Sequence, residues 1–276
     1  GAFLNAMEDE RSVGTDERPV VHILAMARRA GHEDVGLAEF DAASRKVPVL
    51  ANVRPSGDTY LMEDFYYAGG LLGLMSRLTG HLDLKQINVT GKPWSDALAD
   101  AKVYNDDVIR PLDKAIYNEG ALAVLKGNLA PDGCVIKPSA CAPKFLKHTG
   151  RAIVFDDYPA LKANINRDDL DVTEDDILVL RNAGPQGGPG MPEWGMLPIP
   201  TKLVKQGVRD MIRISDARMS GTSYGACILH VSPESYVGGP LALVKTGDKI
   251  TVNVPERSIK LEVSDGELAA RRAALK

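Results

Sequence analysis

Residues 19–30, "PVVHILAMARRA", carry apolar positions at helical spacing and finish on two arginines, which predicts a helix. "GLAEFDAASRKVPVLANVRPSG" reads as a second helix, then an extended segment running into a Pro-Ser-Gly turn. "LMEDFYYAGGLLGLMSRLTG" is again helical, weakened in its middle by Gly69 and Gly70, with its Met and aromatic residues expected in the core. A strand-like run, "QINVTG", precedes one more predicted helix, "WSDALADAKVY". Near residue 105 the pattern changes. "GALAVLKGNLAPDGCVIKP", "GRAIVFDD", "DILVLRNAG", "DMIRIS" and "ACILHVS" are short apolar or β-branched runs broken by Gly, Pro and Asp, as strands are. "YPALKANINRDDL" can supply a helix among them, and "GPLALVKTGDKITVNVPERSIKLEV" predicts a hairpin or meander around "KTGD". "SDGELAARRAALK" closes as a helix with Ser264 as N-cap and Glu267 completing a capping box. The chain is therefore expected to be mixed α/β, a helical piece followed by a β-rich domain, with the boundary around residues 92–110.

Composition narrows the partners. The 276 residues can bury a substantial core, and 44% hydrophobic with 25% charged residues is ordinary for a globular protein. A net charge of −4 gives no concentrated basic face for nucleic acid. No apolar run is long enough to span a bilayer, and "GAFLNAMEDERSVG" lacks the basic and apolar regions of a signal peptide. It also does not begin like a native start, so a fragment is expected. The three cysteines, Cys134, Cys141 and Cys227, form no disulfide framework, and buried thiols in a reducing cytoplasm are expected. Their spacing gives poor support to a metal or cluster site.

Two loop-like segments carry the candidate chemistry. "SDARMSGTSYGACILH", residues 215–230, contains G-T-S-Y-G, a formal match to the G-x-S-x-G signature of serine hydrolases. That elbow needs a helix directly after Ser223, then an acid and a histidine. The chain instead continues into the strand-like "ACILHVSP", and only His230 of its five histidines follows Ser223. Ser220, Thr222 and Ser223 around a glycine can also offer N–H and O–H donors to a carboxylate or phosphate. A Gly turn with local hydroxyl hydrogen bonds, and a mutual Asp216–Arg218 pair, accounts for the same residues. "GPQGGPGMPEWG", residues 184–195, lacks the ending of a P-loop and the spacing of a dinucleotide fingerprint. It displays Glu193 at a strand end, where a carboxylate suits a hard cation such as Mg²⁺. An exposed glutamate is the commoner fate of such a residue.

Longer motifs discriminate further. "GPQGGPGMPEWGMLPIPTKL", "VRDMIRISDARMSGTSYGACILHVSPES", "GGPLALVKTGDKI" and "SDGELAARRAA" together resemble the C-terminal part of the dihydroxy-acid/sugar-acid dehydratase family. "PVLANVRPSGDTYLMEDFYYAGG" and "GNLAPDGCVIKPSA" resemble its middle section. The resemblance implies residues 1–95 as the end of an incomplete N-terminal α/β domain. Residues 96–276 would be a β-barrel-like C-terminal domain of the swivelling β/β/α type, without its tail. It further implies Glu193 as a Mg²⁺ ligand, Ser220 as the catalytic base and Thr222 as a substrate contact. An iron–sulfur cluster, of the 2Fe–2S type, would be held by cysteines in an N-terminal half outside this sequence, so Cys134, Cys141 and Cys227 are not assigned to it.

The implied reaction dehydrates a 2,3-dihydroxy carboxylate to a 2-keto-3-deoxy acid. A base removes the C2 proton, iron assists departure of the C3 hydroxyl, and Mg²⁺ steadies the developing enolate. "SDARMSGTSYG" and "EWGMLPIP" resemble the sugar-acid branch, so an aldonate is the expected substrate. The expected enzyme is cytoplasmic and, when complete, a homo-oligomer, either a dimer or a dimer of dimers. The fragment alone is expected to be inactive. A branched-chain dihydroxy-acid dehydratase and a non-catalytic homologue or interaction module stand as alternatives. "VGTDERPVVHILAMA" departs from the family's pattern, with Asp16, Glu17 and Arg18 where small polar residues are usual.

Overall fold

The computed structural model describes residues 18–54, 56–57, 59–188, 197–218 and 224–275. The chain divides into two compact units, Gly1–Ala123 and Val124–Lys276.

The first unit is helical. Its helices are α1 (Arg18–Arg29), α2 (Leu37–Ser44), α3 (Met62–Tyr67), α4 (Gly70–Arg77) and α5 (Trp94–Leu98). On α1 the buried positions are Val20, Ile23, Leu24 and Ala27, the i, i+3, i+4, i+7 stripe that the hydrophobic pattern predicts. The Gly36 N–H donates to Glu39 Oε2 at 2.8 Å at the start of α2, satisfying one orphan donor. The extended segment that follows makes isolated antiparallel bridges, Val49 to Tyr117 and Ala51 to Ile109. Ser44 Oγ donates to the Leu122 carbonyl. These contacts hold residues 105–122 in the helical unit, so the units divide beyond the helix-to-strand change seen in the pattern.

Three local expectations are corrected here. The helix predicted through "DFYYAGGLLGL" is two helices. Gly69, at φ 124, turns the chain, and a Cβ there would collide with the Lys102 carbonyl. Phe65 and Met75 are core residues, whereas Met62, Tyr66 and Tyr67 are exposed. "QINVTG" makes a single bridge, Ile87 to Pro93, because Asn88 closes a tight turn in which its Oδ1 accepts from the Thr90 N–H at 2.8 Å.

The second unit is a closed barrel of eight strands. These are β1 (Ala123–Gly127), β2 (Ala130–Ile136), β3 (Lys147–Phe155), β4 (Ile177–Leu180), β5 (Arg213–Ser215), β6 (Cys227–Ser232), β7 (Lys249–Asn253) and β8 (Ser258–Leu261). Around the barrel the order is β1-β2-β6-β5-β4-β3-β7-β8. The β3–β4, β4–β5 and β5–β6 pairs are parallel, while the β2–β6, β3–β7 and β7–β8 pairs are antiparallel. α6 (Tyr158–Asn164) crosses between β3 and β4, and α7 (Thr201–Lys205) lies between β4 and β5. β4 is buried at all four positions, as a parallel strand covered on both faces must be.

The end of the chain also differs from its pattern. The β7–β8 turn is "VPER", with Pro255 following Val254 and the Arg257 N–H donating to the Val254 carbonyl at 3.0 Å. "KTGD" is a separate turn leading into β7, and "PLAL" is a short 3₁₀ helix. α8 (Asp265–Ala274) begins as predicted, with Ser264 Oγ accepting from the Glu267 N–H at 3.3 Å. The Glu267 carboxylate instead takes Arg271 Nε at 2.8 Å, because a basic residue one turn on is the stronger partner.

Candidate active site

Leu180 of β4 pairs with Ser215 of β5 in parallel register, so the chain leaves both strands at the same edge. One exit leads toward residues 184–195 and the other toward 216–223, the two segments singled out in the sequence. Ligands of parallel α/β sheets gather at carboxyl strand ends of this kind. Glu193, Ser220, Thr222 and Ser223 lie outside the described residues. The structure therefore describes the supports of both segments, not the candidate side chains themselves.

The exits are held by buried acids. Asp216, next after β5, is 2% exposed. Its Oδ1 accepts from the Ala183 N–H at 3.0 Å, and its Oδ2 accepts from the Ser235 N–H at 2.8 Å and from Ser235 Oγ. Ser235 Oγ in turn accepts from the Asn182 N–H at 2.6 Å. One residue away, Glu234 accepts from the Gln186 N–H at 3.0 and 3.1 Å and from the Gly187 N–H at 3.2 Å. Asp216 and Glu234 thus hold the 182–187 stretch through charge-assisted bonds to its backbone. Gly184 is required there because any Cβ would strike the Glu234 carboxylate.

The re-entry points are held by a buried base. Arg213, 7% exposed, donates from Nη1 to the Leu197 carbonyl at 3.2 Å and from Nη2 to the Tyr224 carbonyl. Its Nε donates to the Met211 carbonyl at 3.2 Å, and Nη2 reaches Asp210 Oδ1 at 3.3 Å. Asp210 also accepts from the Met211 N–H at 2.8 Å, the Ala226 N–H at 2.8 Å and the Ala142 N–H at 2.9 Å. Most of the guanidinium donors and the Asp210 carboxylate are therefore engaged within the protein, which suits a support. Lys137, immediately after β2, is a second buried cation at 1% exposure.

The thiols do not fit a cluster. A ligand sulfur must be a thiolate. Burial pushes the Cys134 thiol far up, and its Sγ donates to the Leu125 carbonyl at 3.6 Å. Burial, with Asp210 nearby, raises Cys141 to about 12. All three cysteines are buried and outside any disulfide, as expected from the sequence. Among the described residues no three His, Cys, Asp or Glu side chains gather as a metal site. The buried acids Asp210, Asp216 and Glu234 are turned to N–H donors instead. No helix of the described residues is long and apolar enough to cross a membrane.

Arg213, Asp210, Glu234 and Ser235 escaped the sequence reading. A charged residue inside the apolar run "DMIRIS" was the available signal, since a buried charge in a strand must be paired. The hydrolase alternative meets a structural obstacle: after Ser223 the chain enters strand β6 at Cys227, where an elbow requires a helix.

Comparison with known proteins gives matches along the whole chain. A model described as dihydroxy-acid/6-phosphogluconate dehydratase N-terminal matches residues 1–97, and the corresponding C-terminal model matches residues 107–276. The 6-deoxy-6-sulfo-D-gluconate dehydratase of Pseudomonas putida is 53% identical over 265 residues, covering 95% of this chain and 45% of that protein. The L-arabinonate dehydratase of Rhizobium leguminosarum bv. trifolii is 49% identical, covering 99% of this chain and 47% of its own length. A dihydroxy-acid dehydratase of Thermodesulfovibrio yellowstonii is 41% identical, with 98% and 48% covered. The chain spans just under half the length of these curated relatives.

Proposed function

The chain belongs to the dihydroxy-acid/6-phosphogluconate dehydratase family, and from that premise we propose that it is part of a hydro-lyase removing water from a sugar acid. The substrate class is an aldonate and the product a 2-keto-3-deoxy acid. The observation that carries the reading is the common edge of β4 and β5, from which the Glu193 and Ser220 segments both depart. Identity of 53% and 49% to two sugar-acid dehydratases, against 41% to a dihydroxy-acid dehydratase, favours the aldonate. That 41% keeps a branched-chain dihydroxy acid as the second substrate class.

In this reading Ser220 accepts the C2 proton and Thr222 hydrogen-bonds the substrate beside it. A serine is a weak base by itself, so its alkoxide must lie in a positive field. Glu193 offers one carboxylate to Mg²⁺, which when bound supplies charge stabilisation for the substrate carboxylate and the developing enolate. Because the described thiols do not fit an iron–sulfur cluster, its ligands are assigned to the part of the longer enzyme outside this chain. The barrel corresponds to the swivelling domain of the family. The complete enzyme is read as a cytoplasmic homo-oligomer, and the 276-residue chain alone as inactive.

The test supplies a full-length enzyme containing this chain with aldonates and with branched-chain 2,3-dihydroxy acids, following 2-keto acid formation. Preferential turnover of an aldonate supports the reading. Preferential turnover of a branched-chain acid moves it to the second class, and turnover of neither overturns it. Turnover of any aldonate by the isolated chain would contradict its assigned inactivity.

A further inference from the structure

We infer that Arg213 is a positioning residue that fixes the re-entry of both candidate catalytic segments to a single guanidinium. The inference rests on the functional reading above only for what those segments do; the clamp itself is geometric. Leu197 is the first described residue after the Glu193 segment, and Tyr224 the first after the Ser220–Thr222 segment. Both carbonyls accept from the same side chain, Leu197 from Nη1 and Tyr224 from Nη2. A planar fork with fixed N–H directions holds two acceptors at a set separation, which a flexible ammonium cannot do. Asp210 locks the fork in place, and through the Ala226 and Ala142 N–H groups it binds the residues that flank it. Leu197 and Tyr224, 27 residues apart in sequence, therefore share one buried anchor. Arg213 thereby links the residues at which the chain returns from the two segments.

Chymotryptic cleavage of the 276-residue chain tests the clamp directly, because Arg213 holds the carbonyl of the Tyr224–Gly225 bond itself. The sites followed are Trp194 and Tyr224, with exposed Tyr104 in the first unit as the internal control. In Arg213→Met, cleavage at Trp194 and Tyr224 accelerates together by roughly tenfold or more, the scale set by losing charged hydrogen bonds, while Tyr104 keeps its wild-type rate. Arg213→Lys separates two roles. If the arginine served only to neutralise buried Asp210, lysine would restore wild-type rates at both sites. The clamp predicts that lysine leaves both fast, and that in a full-length enzyme it lowers kcat by a similar factor without recovery. Acceleration at one site only, or wild-type rates in Arg213→Lys, overturns the inference. Should Arg213→Met fail to fold, the lysine variant alone decides. Failure of the dehydratase reading is seen separately, since an inactive wild-type full-length enzyme leaves the cleavage results untouched.

Discussion

Arg151 on β3 meets two aspartates whose surroundings set them apart. Asp176, 5% exposed, accepts from Arg151 Nε and Nη2 at 3.0 Å each and from the Thr173 N–H at 2.8 Å. Asp171 reaches Arg151 Nη1 at 2.6 Å from an open surface. Burial alone would raise the Asp176 carboxyl, but the hydrogen bonds from Arg151 and Thr173 outweigh it and hold the group below its usual range. A depressed folded value means this stabilisation is present above the unfolded pKa and is lost as pH falls through the folded one, below about pH 4. Asp176→Ala is predicted to cost about 1–3 kcal/mol in urea unfolding at pH 7, since it removes the paired Arg151 contact and strands two Thr173 donors. Asp171→Ala is predicted to leave the urea midpoint nearly unchanged. The same reasoning applies to the thiols: buried and protonated, Cys134 and Cys141 are predicted not to react with a disulfide reagent at pH 8 until urea unfolds the chain. Fast labelling of the native protein would contradict their burial.

What the residue scale hid from sequence follows from the same physics. Ser220 and Thr222 as hydroxyls around a glycine, and Glu193 as a strand-end carboxylate, were legible as candidates, but only the long family motifs gave them roles. Arg213 and Asp210 did not stand out, because a charge in a strand ordinarily marks a solvent-facing position. Their burial becomes visible only when β4, β5 and β6 are brought side by side.

Among elements, periodicity succeeded where the face was long and failed where a single backbone angle decided. α1 and the strands β3, β4, β6, β7 and β8 were legible from spacing. The α3–α4 break was not, because it depends on Gly69 at φ 124 packed on the Lys102 carbonyl. Gly69→Ala is predicted to destabilise the chain by more than about 1 kcal/mol in thermal or urea unfolding, since both strain and a collision oppose it. "GPLAL" read as strand because it is apolar, yet Pro240 starts a 3₁₀ turn there. At the last helix, Arg271 donates to Asp248 Oδ1 at 3.0 Å and to the Leu243 carbonyl at 2.9 Å, joining α8 to the segment before β7. Ser264→Ala at its N-cap is predicted to cost about 1 kcal/mol, readable by the same unfolding measurement.

For the molecule as a whole, a helical unit and a closed mixed barrel are joined in one chain that matches just under half of its relatives' length. The change from helical to strand periodicity was visible near residue 105, but barrel closure was not. Closure rests on the parallel β1–β8 pairing, in which Lys126 aligns with Ser258, and no local pattern encodes so distant a partner. The common edge that sends out both candidate segments rests instead on the β4–β5 ladder, flanked by β3 and β6.

The central claim is that Ser220, and not the serine of the G-T-S-Y-G signature, is the base. The most direct measurement compares Ser220→Ala and Ser223→Ala in a full-length enzyme containing this chain, reading kcat for an aldonate with folding checked by circular dichroism. The account predicts a loss of roughly 10²-fold or more for Ser220→Ala, the scale of a lost general base, with Ser223→Ala close to wild type. Near-normal turnover by Ser220→Ala, or the larger loss falling on Ser223→Ala, would contradict it.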